Sequence, residues 1–209
     1  MPRDDQKRRV ILAARERMSR EGFSRLSIEE LVSELGMSKK TFYKIFRSKD
    51  DLLSQVVDTT LGEVRLVLGE ITGSDRDFLE KLTAILTFVG EQSGRIGRPL
   101  QEDLRRFHPD LWMRIEVFRR QRLAQTFAPL FDQGVAEGYV RSDVNKRVFL
   151  FAYIGAIQNL ITPQVLAQES FSAQDALRGI VGIFFQGILT DRGRKQLTHI
   201  SILKESPST

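Results

Sequence analysis

The sequence contains no cysteine and only two histidines among its 209 residues. The absence of cysteine excludes disulfide bonds, cysteine-ligated zinc and a cysteine nucleophile. His108 and His199 are far apart in sequence, and both are expected to be surface or capping residues. The chain also lacks a phosphate-binding glycine loop, a G-x-S-x-G elbow and a histidine paired with a carboxylate at metal-ligand spacing. We therefore expect a protein that is not an enzyme and that needs no cofactor or metal.

Long apolar stretches are missing as well. The longest candidates, such as residues 148–157, are too short or too interrupted to span a bilayer. The first residues lack the apolar segment of a secretory signal. Hydrophobic residues nevertheless make up 41% of the chain, which is enough for a sizeable core. The composition predicts a soluble, cytoplasmic protein without a membrane partner.

Positive charge is concentrated in the first quarter of the sequence. Residues 1–50 contain 13 Lys/Arg and 8 Asp/Glu, whereas residues 51–209 contain 19 of each sign. A basic segment attached to a neutral one indicates a polyanion binder with a second task, or else a basic face that is merely solvated. We therefore divide the chain into two domains, residues 1–50 and residues 51–209.

Apolar residues recur at helical spacing through almost the whole chain, and no alternating strand pattern of useful length is present. This periodicity predicts an all-α fold of about nine helices. A loop is expected at residues 93–99, and Pro129 is expected to kink or split the helix that contains it. The predicted helices cover residues 5–21, 28–35, 39–46, 49–72, 75–92, 100–107, 110–137, 143–162 and 173–191.

Two short capped helices near the N-terminus form the pattern of a helix-turn-helix. Ser27 and Glu30 have the spacing of a capping box, which opens the first of these helices. Gly36 ends it, because glycine adopts left-handed geometry at low cost, and Ser38 caps the second. In the second helix, the spacing of three apolar side chains predicts that they face the core, namely Phe42, Ile45 and Phe46. The outward-facing side chains then provide phosphate clamps and groove donors together: Lys39, Lys40, Thr41, Tyr43 and Lys44.

This segment resembles the DNA-binding domain of the TetR family over about residues 8–55. The resemblance rests on order and spacing, in Gly22-Phe23, Ser27-Ile28-x-x-Leu31 and Leu35-Gly36-Met37-Ser38-x-x-Thr41-Phe42-Tyr43-x-x-Phe46-x-x-Lys49-x-x-Leu52. It implies that four residues contact the DNA backbone, namely Ser38, Thr41, Tyr43 and Lys49. It further implies that Lys39, Lys40 and Lys44 read bases or add phosphate contacts.

The sequence departs from this family at three positions. Val32 and Leu35 stand where many relatives have alanine, and Lys40 stands where glycine is frequent. Outside the motif, the basic side chains of Arg3, Lys7, Arg8 and Arg9 either reach DNA or belong to a disordered, solvated arm.

The last two predicted helices are apolar around most of their circumference, more than packing against one neighbour requires. They form either a core within one subunit or a two-fold four-helix interface, and the resemblance to dimeric regulators favours the interface. The predicted interface residues are Phe149, Tyr153, Ile154, Ile157, Leu160, Ile180, Phe184 and Ile188.

Aromatic and amide side chains in the middle of the chain are candidates for a ligand pocket, although an aromatic stripe at helical spacing equally fits plain core. The candidates are Phe88, Gln92, Leu104, Phe107, Trp112, Ile115, Phe118, Gln158 and Asn159. We therefore expect residues 1–50 to form a helix-turn-helix DNA-binding domain and residues 51–209 a ligand-binding and dimerisation domain. The resulting hypothesis is a repressor that binds a palindromic double-stranded DNA operator as a homodimer and is released by a small, largely apolar effector. The alternative is a DNA-binding regulator that senses no small molecule and is controlled by a protein partner.

Overall fold

The computed structural model describes residues 3–95 and 97–197, and His199 lies outside these ranges. The described residues form helices, with one isolated antiparallel bridge between Val140 and Leu189. The predicted all-α class is confirmed. The helices in chain order are α1 (Arg3–Glu21), α2 (Ile28–Glu34), α3 (Lys39–Ile45), α4 (Lys49–Gly73), α5 (Phe78–Arg95), α6 (Arg98–Phe107), α7 (Pro109–Ala136), α8 (Lys146–Leu160), α9 (Pro163–Gln168), α10 (Ala173–Ile188) and α11 (Asp191–Leu197).

All nine predicted helices are present, and the described part of the chain adds the short helices α9 and α11. Two details differ from the predictions. Helix α5 continues to Arg95, so part of the predicted loop is helical. Helix α7 passes through Pro129 without being split. Phe127 and Leu130 on either side of the proline are buried, and their packing offsets the one backbone hydrogen bond that proline cannot donate.

The described helices include none that is both long and apolar enough to cross a membrane. The chain divides into two compact units. The first contains the described residues up to Arg65 together with Arg95–Phe118, and the second contains Leu66–Gly94 and the described residues from Arg119 onward. This division differs from a boundary at residue 50, because α6 and the start of α7 pack with the N-terminal helices.

The first unit has a continuous apolar core. Val10, Ala14 and Met18 of α1 are fully buried, as is Leu31 of α2. Helix α6 joins this core through two of its own leucines, and α7 contributes one isoleucine. The buried members of the core are Val10, Ile11, Ala14, Met18, Phe23, Leu26, Ile28, Leu31, Val32, Phe42, Phe46, Leu52, Leu53, Val56, Val57, Leu100, Leu104 and Ile115.

The core of the second unit is rich in aromatic rings. Tyr153 lies at its centre, with its ring centroid 5.0 Å from that of Phe127 and 5.7 Å from that of Phe185. Complete burial raises the pKa of the Tyr153 hydroxyl well above its usual value. Phe131, Phe149 and Phe184 complete the cluster. These rings join α7, α8 and α10 into one packed body.

Candidate DNA-binding site

A tight turn precedes α3, and the inner face of α3 packs against the core of the first unit. Gly36 has φ of +63°, so a side chain at this position would be strained. Ser38 caps α3, and its Oγ accepts a hydrogen bond from the backbone N–H of Thr41 at 3.0 Å. Phe42 and Phe46 are fully buried, whereas Ile45 is partly buried against the same core. The inner face predicted for α3 therefore packs as expected and fixes which residues point outward.

The outer face of α3 is polar and accessible. Lys39, Lys40 and Lys44 are exposed, and 54% of Tyr43 is accessible. The Tyr43 ring makes an edge contact with the buried Phe42, with centroids 5.2 Å apart and an interplanar angle of 88°. This contact orients the tyrosine ring from below and leaves the remainder of its surface accessible.

Two hydroxyl groups meet at the start of α3. The Ser38 Oγ and the Thr41 Oγ1 are 2.9 Å apart, and a bond between them uses one of the two hydroxyl protons. The other proton remains available to an outside acceptor. Ser38 is exposed and Thr41 is partly buried. The pair can therefore donate to a phosphate oxygen at the edge of the α3 surface.

Lys39 already has an anionic partner. Its ammonium forms an ion pair and a hydrogen bond with the carboxylate of Glu29 on α2. The hydrogen bond from Lys39 lowers the pKa of Glu29 below its usual range. Both side chains are more than half exposed, so this pair is weakly held. A DNA contact by Lys39 requires that the ammonium leave Glu29 or share it.

Lys49 differs from the lysines of α3 because its ammonium points toward the protein. The Lys49 Nζ donates to the carbonyl oxygen of Ser24 at 3.3 Å and lies 4.5 Å from the centroid of the Phe23 ring. Partial burial lowers the pKa of Lys49, while Asp50 and Asp103 act in the opposite direction. The structure thus places Lys49 apart from the exposed cations of α3.

The ion pairs that join α1 to α2 were not predicted from the sequence. Arg17 on α1 donates to Glu30 on α2 at 2.6 Å and lies 3.7 Å from Glu34. This pairing corrects the predicted capping box: Ser27 Oγ does accept from the N–H of Glu30, but the Glu30 carboxylate binds Arg17. A carboxylate at this position has a charged donor within reach, which outcompetes a backbone N–H.

The basic residues near the N-terminus lie on a helix. Helix α1 begins at Arg3, so Lys7, Arg8 and Arg9 occupy its first turns and the expectation of a disordered arm is wrong for them. Arg47, two residues after the end of α3, is exposed and was not predicted as a site residue. The sequence pattern that could have identified it is a basic residue close to the three lysines of α3.

The comparisons with known proteins agree with this geometry. The sequence profile described as "Bacterial regulatory proteins, tetR family" matches residues 10–56. The HTH-type transcriptional regulator YvaF of Bacillus subtilis (strain 168) is 26% identical over 185 residues, which cover 88% of this chain and 96% of that protein. The chain carries the N-terminal DNA-binding domain of the TetR family, over residues 10–56. It is a DNA-binding transcriptional regulator.

Solved structures of TetR-family and other transcriptional regulators share the fold. A transcriptional regulator from Cytophaga hutchinsonii ATCC 33406 has a TM-score of 0.69 at 18% identity, covering 87% of this chain and 97% of that one. A TetR-family regulator from Agrobacterium tumefaciens has a TM-score of 0.65 at 15% identity, covering 90% and 100%. The helical arrangement therefore extends well beyond the N-terminal motif.

Packing explains two of the three departures from the TetR pattern. Val32 is buried and Leu35 is partly buried against the core of the first unit, so both larger side chains fill space beneath the turn. Lys40 is exposed and adds a charge to the outer face of α3. None of the three changes disturbs the helix-turn-helix.

Several predicted pocket residues have another role. Leu104 and Ile115 are buried in the core of the first unit, and Trp112 packs against that core beneath the guanidinium of Arg105. Phe107 is 53% exposed. The structure places three of them in the core of the first unit or against it, and the fourth at its surface; a pocket lined by them stays a prediction. The remaining pocket candidates are partly buried or exposed, namely Phe88, Gln92, Phe118, Gln158 and Asn159.

The predicted dimer residues divide by burial. Five of them are buried within the second unit and have little surface to offer another copy, namely Phe149, Tyr153, Ile157, Ile180 and Ile188. Ile154 and Phe184 are partly buried, and Leu160 is 37% exposed. The most exposed large apolar side chains on these helices are different ones: Val148 and Phe151 on α8, and Ile183 on α10. Helical periodicity therefore did not identify which side of each helix is exposed.

An open apolar groove of about 380 Å³ lies on that outer side, between α8 and α10. Val148, Ala152, Ile183 and Phe184 are among its lining residues. A side chain built at Gly179 or Gly187 would meet no atom of the described residues within 4 Å of its Cβ, so packing among those residues does not require glycine at either position.

Proposed function

We propose that this TetR-family protein is a repressor that binds a palindromic operator as a homodimer and is released by a small, largely apolar effector. The outer face of α3 supports this proposal most directly. It combines exposed Lys39, Lys40, Lys44 and Tyr43 with the paired hydroxyls of Ser38 and Thr41, over an inner face that is closed. Such a face supplies phosphate contacts and base-edge donors on one short helix.

The outer side of α8 and α10 supports dimerisation. Val148, Phe151 and Ile183 are 64%, 71% and 74% exposed, and Val148 and Ile183 line an apolar groove. A patch of this kind on a globular protein marks an interaction surface. In a two-fold arrangement the same patch covers itself, and a projecting Phe151 or Ile183 of one copy enters the groove of the other.

A symmetric dimer constrains the operator. The two α3 helices meet successive major grooves on one side of the duplex, so their centres lie about 34–36 Å apart in the complex. The operator is then a palindrome whose half-sites are one helical turn apart, or a multiple of it.

The part of the chain after residue 50 supports a role for an apolar effector. Residues 51–209 have no net charge, and α7, α8 and α10 are rich in aromatic rings, which suits an apolar ligand. The Nε2 of Gln158 is buried and has no acceptor among the described residues. A buried donor without a partner favours a ligand that carries a hydrogen-bond acceptor. Asn159, in contrast, is exposed and bonds to Gly155 of its own helix.

The test of DNA recognition begins with duplexes enriched by the protein from a randomised pool. Tyr43→Ala should weaken binding about tenfold on every duplex, because a phosphate contact carries no base information. Lys39→Ala should weaken binding by an amount that depends on the duplex sequence. Lys146→Ala is a matched control, since Lys146 is also an exposed lysine paired with a carboxylate, that of Asp132.

Titrations of labelled duplex at several salt concentrations measure these affinities. Enrichment of palindromes with loss of affinity in the two α3 variants and not in Lys146→Ala supports the proposal. If both α3 variants keep wild-type affinity, the DNA-binding surface is not the outer face of α3.

A further inference from the structure

The three glutamates of α2 are paired in two different directions. Glu30 accepts a hydrogen bond from Arg17 of α1 at 2.6 Å, and Glu34 lies 3.7 Å from the same guanidinium. Glu29 pairs instead with Lys39, the first residue of α3. Glu29 is therefore a carboxylate of α2 that contacts the helix proposed to recognise DNA.

The Glu29 carboxylate is held through its second oxygen as well. Its Oε1 meets the Lys39 ammonium, and its Oε2 accepts a hydrogen bond from the Ser27 hydroxyl at 3.3 Å. The Ser27 Oγ in turn accepts from the backbone N–H of Glu30 and so caps α2. The carboxylate is therefore anchored at the start of α2, and the Lys39 side chain reaches it from α3.

The Lys39 ammonium carries three N–H donors, and the pair with Glu29 uses one of them. Guanine presents two acceptors, N7 and O6, in the major groove, and one lysine can bond to both. Lys39 can therefore bond to a guanine while it keeps its pair with Glu29. A phosphate contact is different, because the phosphate and the carboxylate are both anions and repel each other when they share one ammonium.

We propose that Glu29 is a specificity-determining residue, which holds the Lys39 ammonium for a base edge and lowers the affinity of the protein for unrelated DNA. An unrelated duplex lacks the guanine at the right position, so the ammonium can gain a contact only by leaving Glu29 for a phosphate. The Glu29 carboxylate then faces the duplex without its partner. The proposal rests on the proposed recognition of DNA by α3.

The first experiment measures the affinity of Glu29→Gln for two duplexes, one selected by the wild-type protein and one with the same bases in scrambled order. The substitution keeps the shape of the side chain and removes its charge. Affinity for the scrambled duplex should rise about threefold to tenfold in the dimer, as expected for the loss of two exposed ion pairs. Affinity for the selected duplex should change by less than about twofold, because the base contact of Lys39 is kept. An unchanged ratio of the two affinities would overturn the proposal.

The salt dependence distinguishes a released lysine from a general loss of negative charge. If Lys39 gains a phosphate contact, the slope of log K against log salt on the scrambled duplex becomes steeper by about 0.9 per subunit. Glu34→Gln is the matched control, since Glu34 is 58% exposed and Glu29 is 62% exposed on the same helix. Glu34→Gln should keep the wild-type slope and the wild-type ratio. The same change in both variants would mean that net charge alone acts, which would overturn the proposal.

The second experiment is a pair of double-mutant cycles on the scrambled duplex. Because Glu29 acts through Lys39, Glu29→Gln should have no effect on this affinity in a Lys39→Met background. It should keep its full effect in a Lys40→Met background, since Lys40 is the exposed next residue of α3 and the pair of Glu29 is with Lys39. An equal gain in both backgrounds would show that Glu29 does not act through Lys39 and would overturn the proposal.

Selection of duplexes by the Glu29→Gln protein separates this restraint from direct reading of a base. The restraint predicts the wild-type consensus with a larger share of unrelated duplexes. A consensus altered at a base pair that Lys39→Met leaves unchanged would show that Glu29 itself bonds to a base, as a carboxylate can to the N4 of cytosine, and would overturn the proposal. If the wild-type protein enriches no duplex, the proposed function fails. If it does so and Glu29→Gln keeps the wild-type ratio of affinities, only the role of Glu29 fails.

Discussion

The outer face of α3 and the outer side of α8 and α10 are built alike but expose opposite chemistry. Each lies over a closed apolar layer, with Phe42 beneath the first and Tyr153 beneath the second. Above Phe42 the chain exposes lysines and a tyrosine hydroxyl, whereas above Tyr153 it exposes Phe151 and Ile183. A polar cationic face gains from phosphate contacts, and an apolar face gains from leaving water. The two surfaces therefore suit different partners, a duplex and a second copy of the chain.

Charge placed on the apolar side should have the largest effect. Phe151→Glu and Ile183→Glu each bury a carboxylate in the proposed two-fold interface, where it has no partner. We expect monomers in sedimentation velocity. Specific operator affinity should fall toward non-specific binding, a gap of about 4–10 kcal/mol for sequence-specific proteins.

Leu66→Glu is the control for these variants. Leu66 is 66% exposed, but it lies on α4. It should remain a dimer with wild-type affinity. Ile157→Glu would not test the interface, because Ile157 is buried within the second unit and its charge would unfold the protein. A dimer that persists in both Phe151→Glu and Ile183→Glu would place the interface on another surface.

Within α3, the inner face should matter more for folding than the outer one. Phe42 is fully buried, so Phe42→Ala should lower the free energy of unfolding by about 3–5 kcal/mol through lost burial and the cavity it leaves. Tyr43→Ala, at the adjacent exposed position, should change it by less than about 0.5 kcal/mol. Urea denaturation followed by circular dichroism measures both. Equal losses in the two variants would contradict the inner and outer assignment of α3.

The correct predictions for α3 rest on sequence patterns that act over a few neighbouring residues. Gly36, Ser38 and the spacing of Phe42 and Phe46 each act within one turn of α3, and the structure has them as predicted. The bond between Ser24 and Asp103 joins residues 79 positions apart, and no local pattern reports it.

Burial in α6, α8 and α10 was harder to predict for the same reason. A helix that is apolar on most sides does not reveal which side its own chain covers, so Phe149 was expected at an interface and is found in the core. Leu104 and Ile115 were expected to line a pocket, but they belong to the core of the first unit, because the tertiary packing of α6 and α7 decides their environment.

The smallest expected effect is the coupling between the binding of an effector and the binding of operator DNA. A thermal-shift screen of metabolites and lipophilic cations should first identify a ligand that stabilises the protein. A ligand can release DNA only by the difference in its affinity for the two conformations, so a tenfold loss of operator affinity needs about 1.4 kcal/mol of coupling. By reciprocity, operator DNA must weaken ligand binding by the same factor. Calorimetric titration of that ligand with and without the selected duplex measures this factor. Equal dissociation constants would contradict release by an effector and would favour the alternative of a regulator controlled by a protein partner.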